Sequence, residues 1–135
     1  MKSTPITKKD IDALAGFLPV LYGDKNKKIC IWPEIEKDKD GANIIPSPCY
    51  EKTVDDFFDE VSRDCWCDFD YLKNKGPEMA RDSDKIKTAS LEEIKAILTF
   101  CVRGERFCSG SWAGLIKNGT IKNIIERLLE LKNTL

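Results

Sequence analysis

The sequence predicts an α+β fold that is mostly α: one compact helical domain, residues 1–135, carrying one small antiparallel β-hairpin. Three observations predict it. Apolar residues recur at helical spacing from Leu91 to Leu131. Two short apolar runs, Lys28–Trp32 and Ala42–Ile45, flank an Asp38-Lys39-Asp40-Gly41 turn and stop at Pro33 and Pro46. No repeat, low-complexity tract or long linker divides the 135 residues, a length suited to one core.

The elements follow in order. Thr7 caps a first helix whose buried stripe is Ile11, Leu14, Leu18 and Leu21, joined by Phe17. Pro19 falls inside this pattern, so it kinks the helix or makes its last turn irregular. Gly23-Asp24-Lys25-Asn26 reads as a turn. The hairpin comes next, and because a lone hairpin is marginal in water it must pack on helices. Pro46-Ser47-Pro48 excludes helix. Thr53 then caps a helix running to about Cys65 or Trp66, with Val54, Phe57, Phe58 and Val61 on one face. Asp68 to Leu72 allows a short turn, Asn74-Lys75-Gly76-Pro77 breaks the chain, and Met79 to Lys87 reads as polar loop with at most one helical turn.

The last third organises the chain. Ser90-Leu91-Glu92-Glu93 is a capping box: the Ser90 hydroxyl accepts from the Glu93 amide, and the Glu93 side chain accepts from the Ser90 amide. Leu91, Ile94, Ile97, Leu98 and Cys101 form the stripe that follows. Gly104 is positioned to end this helix. Ser109 caps a short helix burying Trp112, Leu115 and Ile116; Asn118-Gly119 stops it; Thr120 caps a final helix with stripe Ile121, Ile124, Ile125, Leu128 and Leu131. About five helices result, the last three joined so tightly that they pack on one another.

Composition narrows function. At 41% hydrophobic and 33% charged the chain is globular. A net charge of −1 provides no long-range attraction to nucleic acid or acidic membranes. No apolar run nears the roughly 18 residues of a membrane span, and Met1-Lys2-Ser3-Thr4-Pro5 leads into charge rather than an apolar signal core, so a cytoplasmic location is expected. Six cysteines and no histidine exclude Ser-His and Cys-His triads and remove the commonest metal ligand.

The segment Arg103-Gly104-Glu105-Arg106-Phe107-Cys108-Ser109-Gly110, with the helices from Trp112 to Leu131, resembles the C-terminal signature of a family of small single-domain prokaryotic proteins known only as a domain of unknown function. The resemblance extends to an N-terminal apolar helix (Leu14 to Leu21), a Trp-Pro strand region (Trp32-Pro33), a middle helix (Thr53 to Val61) and a closing Arg-Phe-x-x-Gly turn (Arg106 to Gly110). Such proteins commonly carry a polar residue, often His, near the position of Ser111; this chain has no His. The resemblance implies fold and size and no activity.

Several constellations compete with plainer readings. Arg103 and Arg106 beside a helix start suit a phosphate or carboxylate, or else satisfy helix carbonyls and nearby acids such as Glu105, with Phe107 plugging the core. The segment from Leu91 to Ile116 resembles a helix-turn-helix in outline, but its second helix offers only Ser111 and Lys117 as polar readers. Cys65-Trp66-Cys67 and the pair Cys101 and Cys108 lack zinc-site spacing and fit small buried hydrophobes. Asp55 and Asp59 stand at i,i+4 and suit a hard cation, yet acids opposite a Phe/Val stripe are the ordinary solvated face. The tryptophans and tyrosines line a groove or fill the core.

The leading expectation is a non-catalytic binding or protein-interaction module, with Arg103, Arg106, Phe107, Trp112 and Trp32 as the patch for another protein or a small anionic ligand. A nucleic-acid-associated regulator using Arg103, Arg106, Lys117 and Lys122 is the alternative, and a carboxylate/metal enzyme the third reading. No catalytic residue, resident metal, cofactor or membrane contact is expected.

Overall fold

In the computed structural model, residues 6–22, 30–31, 36–37, 39–41, 43–44, 49–107 and 110–134 are described. Eight α-helices occur among them: α1 (Lys8–Ala15), α2 (Phe17–Tyr22), α3 (Lys52–Val61), α4 (Gly76–Ala80), α5 (Ser83–Lys87), α6 (Leu91–Phe107), α7 (Ser111–Lys117) and α8 (Thr120–Lys132). A single 3-10 turn, Asp64–Trp66, follows α3.

The expected α+β class is corrected: the fold is all-α. Extended backbone pairs only as two-residue contacts, β1 (Cys30–Ile31) with β4 (Cys49–Tyr50) and β2 (Glu36–Lys37) with β3 (Asn43–Ile44). Among the described residues, the two runs expected to form the hairpin do not pair with each other; each finds a different partner. Of the expected Asp38-to-Gly41 turn, Asp38 lies outside the described residues; Lys39, Asp40 and Gly41 do bend the chain, with Gly41 at φ 80°, but among the described residues no layer of sheet grows from them. Prolines 33, 46 and 48 have no amide hydrogen to extend a ladder. Two-residue ladders present no face to a core, so the helices pack on one another.

Local chemistry explains the helix ends. Thr7 makes a capping box with Asp10: the Thr7 amide donates to Asp10 Oδ2 (2.9 Å) and the Asp10 amide to Thr7 Oγ1 (3.3 Å). α1 ends at Ala15, four residues before Pro19, where the proline ring would meet a helical carbonyl. Pro19 therefore sits in the first turn of a new helix, α2, where no helical amide is needed. Glu51, not Thr53, is the N-cap of α3, its side chain accepting from the Thr53 amide at 3.2 Å. Gly76-Pro77 opens α4 rather than only breaking the chain, and α4 and α5 replace the expected loop because Met79, Ala80 and Ile86 are buried.

The Ser90–Glu93 capping box forms with its two bonds at 3.0 and 3.2 Å. α6 then runs through Gly104 to Phe107 instead of stopping there. Ile94 to Thr99 are buried without interruption, so α6 is the central helix, clad by α3, α4, α7 and α8. The approach of α4 is closest: a Cβ on Gly76 would lie 2.5 Å from the Ala96 carbonyl oxygen. The left-handed turns fall at Gly110 (φ 89°) and Gly119 (φ 87°), which precede α7 and α8. Gly119, not Thr120, occupies the α8 N-cap, and the Asn118 side chain accepts from the Thr120 amide at 2.9 Å.

α1 and α5 pack on α8, and α2 on α3. The Tyr22 hydroxyl accepts from the Lys122 amide at 3.1 Å, tying α2 to the first turn of α8; burial pushes its pKa up to about 12. No helix is long and apolar enough to cross a membrane among the described residues.

Candidate functional site

The bend between α6 and α7 is built around Glu105, which the sequence suggests only as an ion-pair partner for a neighbouring arginine. Glu105, half-buried near the end of α6, accepts from the Gly110 amide through Oε2 (2.7 Å) and from the Trp112 amide through Oε1 (3.1 Å). The Tyr50 hydroxyl donates to Oε1 at 2.6 Å. Glu105 thus caps α7 from the neighbouring helix, satisfying amides that the cap residue Gly110 has no side chain to reach. The same contact ties β4 to the bend.

Trp112 completes this packing. Its ring stacks on Phe58 of α3 with centroids 4.2 Å apart and planes 6° from parallel, and Tyr50 lies against it at 5.3 Å. Its indole nitrogen donates to the Val102 carbonyl at 3.3 Å. Trp112 is therefore a half-buried strut between α3, α6 and α7, while Ala113 and Ile116 of α7 face the core.

A second locus lies between the 3-10 turn and α4. The Asp68 amide donates to Thr99 Oγ1 of α6 at 2.9 Å. The Asp68 carboxylate accepts from the Asp70 amide (2.9 Å) and from Asn74 Nδ2 (2.8 Å), closing residues 68–74 on themselves. Backbone bonds from Tyr71, Asn74 and Lys75 to the carbonyls of Asp68, Asp70 and Leu72 give the segment helical curvature. Lys75, at φ 61°, reverses the chain into α4. Tyr71 points inward and is buried, and Arg103 of α6 covers its ring with the guanidinium carbon 5.1 Å from the centroid.

What this tightly bonded turn sends outward is apolar. Phe69 is 78% exposed and Leu72 68% exposed, far above the other exposed large hydrophobics, Val20 and Leu129 at 37% each. Three residues apart on a helical turn, the two side chains share a side. A cleft of about 210 Å³ lies alongside, lined by Val61, Ser62, Cys67, Thr99, Val102 and Arg103.

Of the residues singled out from sequence, Arg103 and Trp112 are both placed on the α6–α7 bend, Arg103 toward Tyr71 and Trp112 toward Phe58. Trp32 lies outside the described residues, as do the side chains of Arg106 and Phe107, whose backbone ends α6. Lys117 and Lys122 are exposed, and Lys122 pairs with Glu126 at 4.0 Å. Asp55 and Asp59 project from the exposed side of α3; no group of three potential metal ligands gathers among the described residues. Cys65 and Cys101 are buried free thiols and Cys67 is half-buried. Burial raises the Cys101 pKa to about 12. Burial also raises that of Cys65, with Asp10 adding to the rise. Phe69 and Leu72 were missed as a surface, although Phe and Leu beside Asp68, Asp70, Lys73 and Asn74 is a legible clue to apolar residues on a polar turn.

An all-α domain with an outward apolar turn beside a guanidinium–tyrosine pair is thus the class of molecule in hand. The chain belongs to DUF6508, a family of unknown function, which it matches over residues 6–134. No curated protein and no solved structure matches it.

Proposed function

We propose that this protein is a non-catalytic interaction module that docks a partner protein through the turn at residues 67–75. The observation that carries the reading is the exposure of Phe69 and Leu72 on a turn already held by hydrogen bonds from the Asp68 amide to Thr99 and from the Asp70 amide and Asn74 to the Asp68 carboxylate. Scattered surface hydrophobics are ordinary, but two large ones on one pinned turn are not. Ordering them in advance lowers the entropy lost on binding. Arg103 stands at the base of the same turn over Tyr71, and an aromatic anchor with a neighbouring arginine is the usual make-up of an interface centre. The partner surface this turn fits is an apolar pocket about one phenyl ring wide.

The bend formed by α6, α7 and α8 supports nucleic-acid binding less well. Trp112, Ala113 and Ile116 of the short α7 are turned to the protein, and Arg103 is turned to Tyr71.

Site-specific photo-crosslinking in the native host tests the proposal. A photoreactive residue replacing Phe69 or Leu72 is expected to capture one discrete protein. The same residue replacing Leu129 of α8 is expected to capture none. Equal labelling patterns from all three positions overturn the assignment of the turn.

A further inference from the structure

A groove of about 450 Å³ lies between the α4–α5 pair and the α6–α7–α8 bend. We propose that it is a binding site for a small monocarboxylate with an apolar body. The inference does not depend on the turn at residues 67–75 or on its partner.

The lining has a distinctive distribution of polar groups. Among the described residues, Arg81 is the only ionised side chain lining the groove and no acidic side chain lines it. The Arg81 guanidinium carbon stands 5.8 Å from the centroid of the Phe100 ring, and Arg81 makes no ion pair among the described residues. Thr120 lines the groove wall and is nine-tenths buried as a residue. Ser111 and Asn123, both half-exposed, line the same groove and bring a hydroxyl and an amide to it. Phe100 and Leu115 supply the apolar lining between them.

The chemistry selects the ligand. A guanidinium presents paired N–H donors that match the two oxygens of a carboxylate. One cation without a counter-charge balances one negative charge, so a monoanion fits and a phosphate dianion is left under-compensated. Hydroxyl and amide donors at the wall share the carboxylate oxygens or a substituent of the ligand. Phe100 and Leu115 cover a short alkyl or aryl body, and the volume lies in the range of small-molecule sites.

The test is titration of the isotope-labelled full chain, followed by amide resonances, with benzoate and hexanoate. Their uncharged counterparts, benzamide and hexanamide, and inorganic phosphate are titrated in parallel. Saturable shifts are expected at Arg81, Phe100, Thr120 and Asn123 with either carboxylate. The amides and phosphate are expected to bind at least about tenfold more weakly. Arg81→Gln, at an exposed position, should weaken carboxylate binding by about tenfold or more while leaving the melting temperature unchanged. Thr120→Val supplies a second variant, expected to weaken binding without altering the preference for carboxylate over amide. The proposal is overturned by the absence of saturable shifts up to about 10 mM, by amides binding as well as carboxylates, by a preference for phosphate, or by undiminished binding to Arg81→Gln.

Discussion

Replacing Glu105 with alanine should unfasten the bend between α6 and α7. Three donors lose their acceptor together: the Gly110 and Trp112 amides and the Tyr50 hydroxyl. A hydrogen bond to a charged group contributes about 1.5–3 kcal/mol, and loss of a helix cap costs about 1 kcal/mol. Glu105 is only half-buried, so water replaces part of what is lost. A destabilisation of about 2–3 kcal/mol results, or roughly 8–12 °C in melting temperature for a chain of this size. Urea unfolding followed by circular dichroism measures it. Tyr50→Phe should cost about 1 kcal/mol alone, and the double variant should lose less than the sum, because both changes remove the same Tyr50–Glu105 hydrogen bond. A Glu105→Ala protein within about 0.5 kcal/mol of the native one, the range of an ordinary surface change, would refute the capping role.

Three further predictions follow from other contacts. Gly76→Ala places a Cβ 2.5 Å from the Ala96 carbonyl oxygen, backbone against backbone, and should destabilise by about 1–3 kcal/mol in the same unfolding assay. Burial alone would raise the Asp10 carboxyl, but hydrogen bonds from the Thr7 amide and hydroxyl, with Arg63 at 3.1 Å, hold it below the ordinary 3.8. Its stabilising contribution is complete above pH 3.8 and is lost as the pH falls through the lower folded value, so Asp10→Asn should flatten the stability-versus-pH curve in that acid range alone. Cys101, fully buried with its pKa pushed up to about 12, should resist iodoacetamide at pH 8 until the protein unfolds; half-buried Cys67 should react before Cys65 and Cys101, as peptide mapping would show.

The helices with complete local signals were legible in the sequence. Ser90 and Glu93 carry both halves of their capping box within four residues, and the stripes from Ile94 to Cys101 and Ile121 to Leu128 follow one period. What escaped depends on partners distant in sequence. Gly104 has the composition of a helix stop, yet α6 continues because Glu105, one residue on, is needed to cap α7 and hold Tyr50, 55 residues away. α4 and α5 lack a long stripe and exist because Gly76 admits the α6 backbone and Met79 and Ile86 find a core. The hairpin failed because β-branched runs identify extended chain without fixing its register. The outward turn at Phe69 and Leu72 depends on Thr99 holding Asp68 from 31 residues away, which no local pattern announces.

The most direct measurement is the affinity of the partner captured through position 69, determined by calorimetric titration against the native protein and Phe69→Ser. An anchor residue contributes about 2 kcal/mol or more. Binding should therefore weaken by about thirtyfold or more, with the melting temperature unchanged because Phe69 is 78% exposed. An affinity within about threefold of the native value would contradict the account.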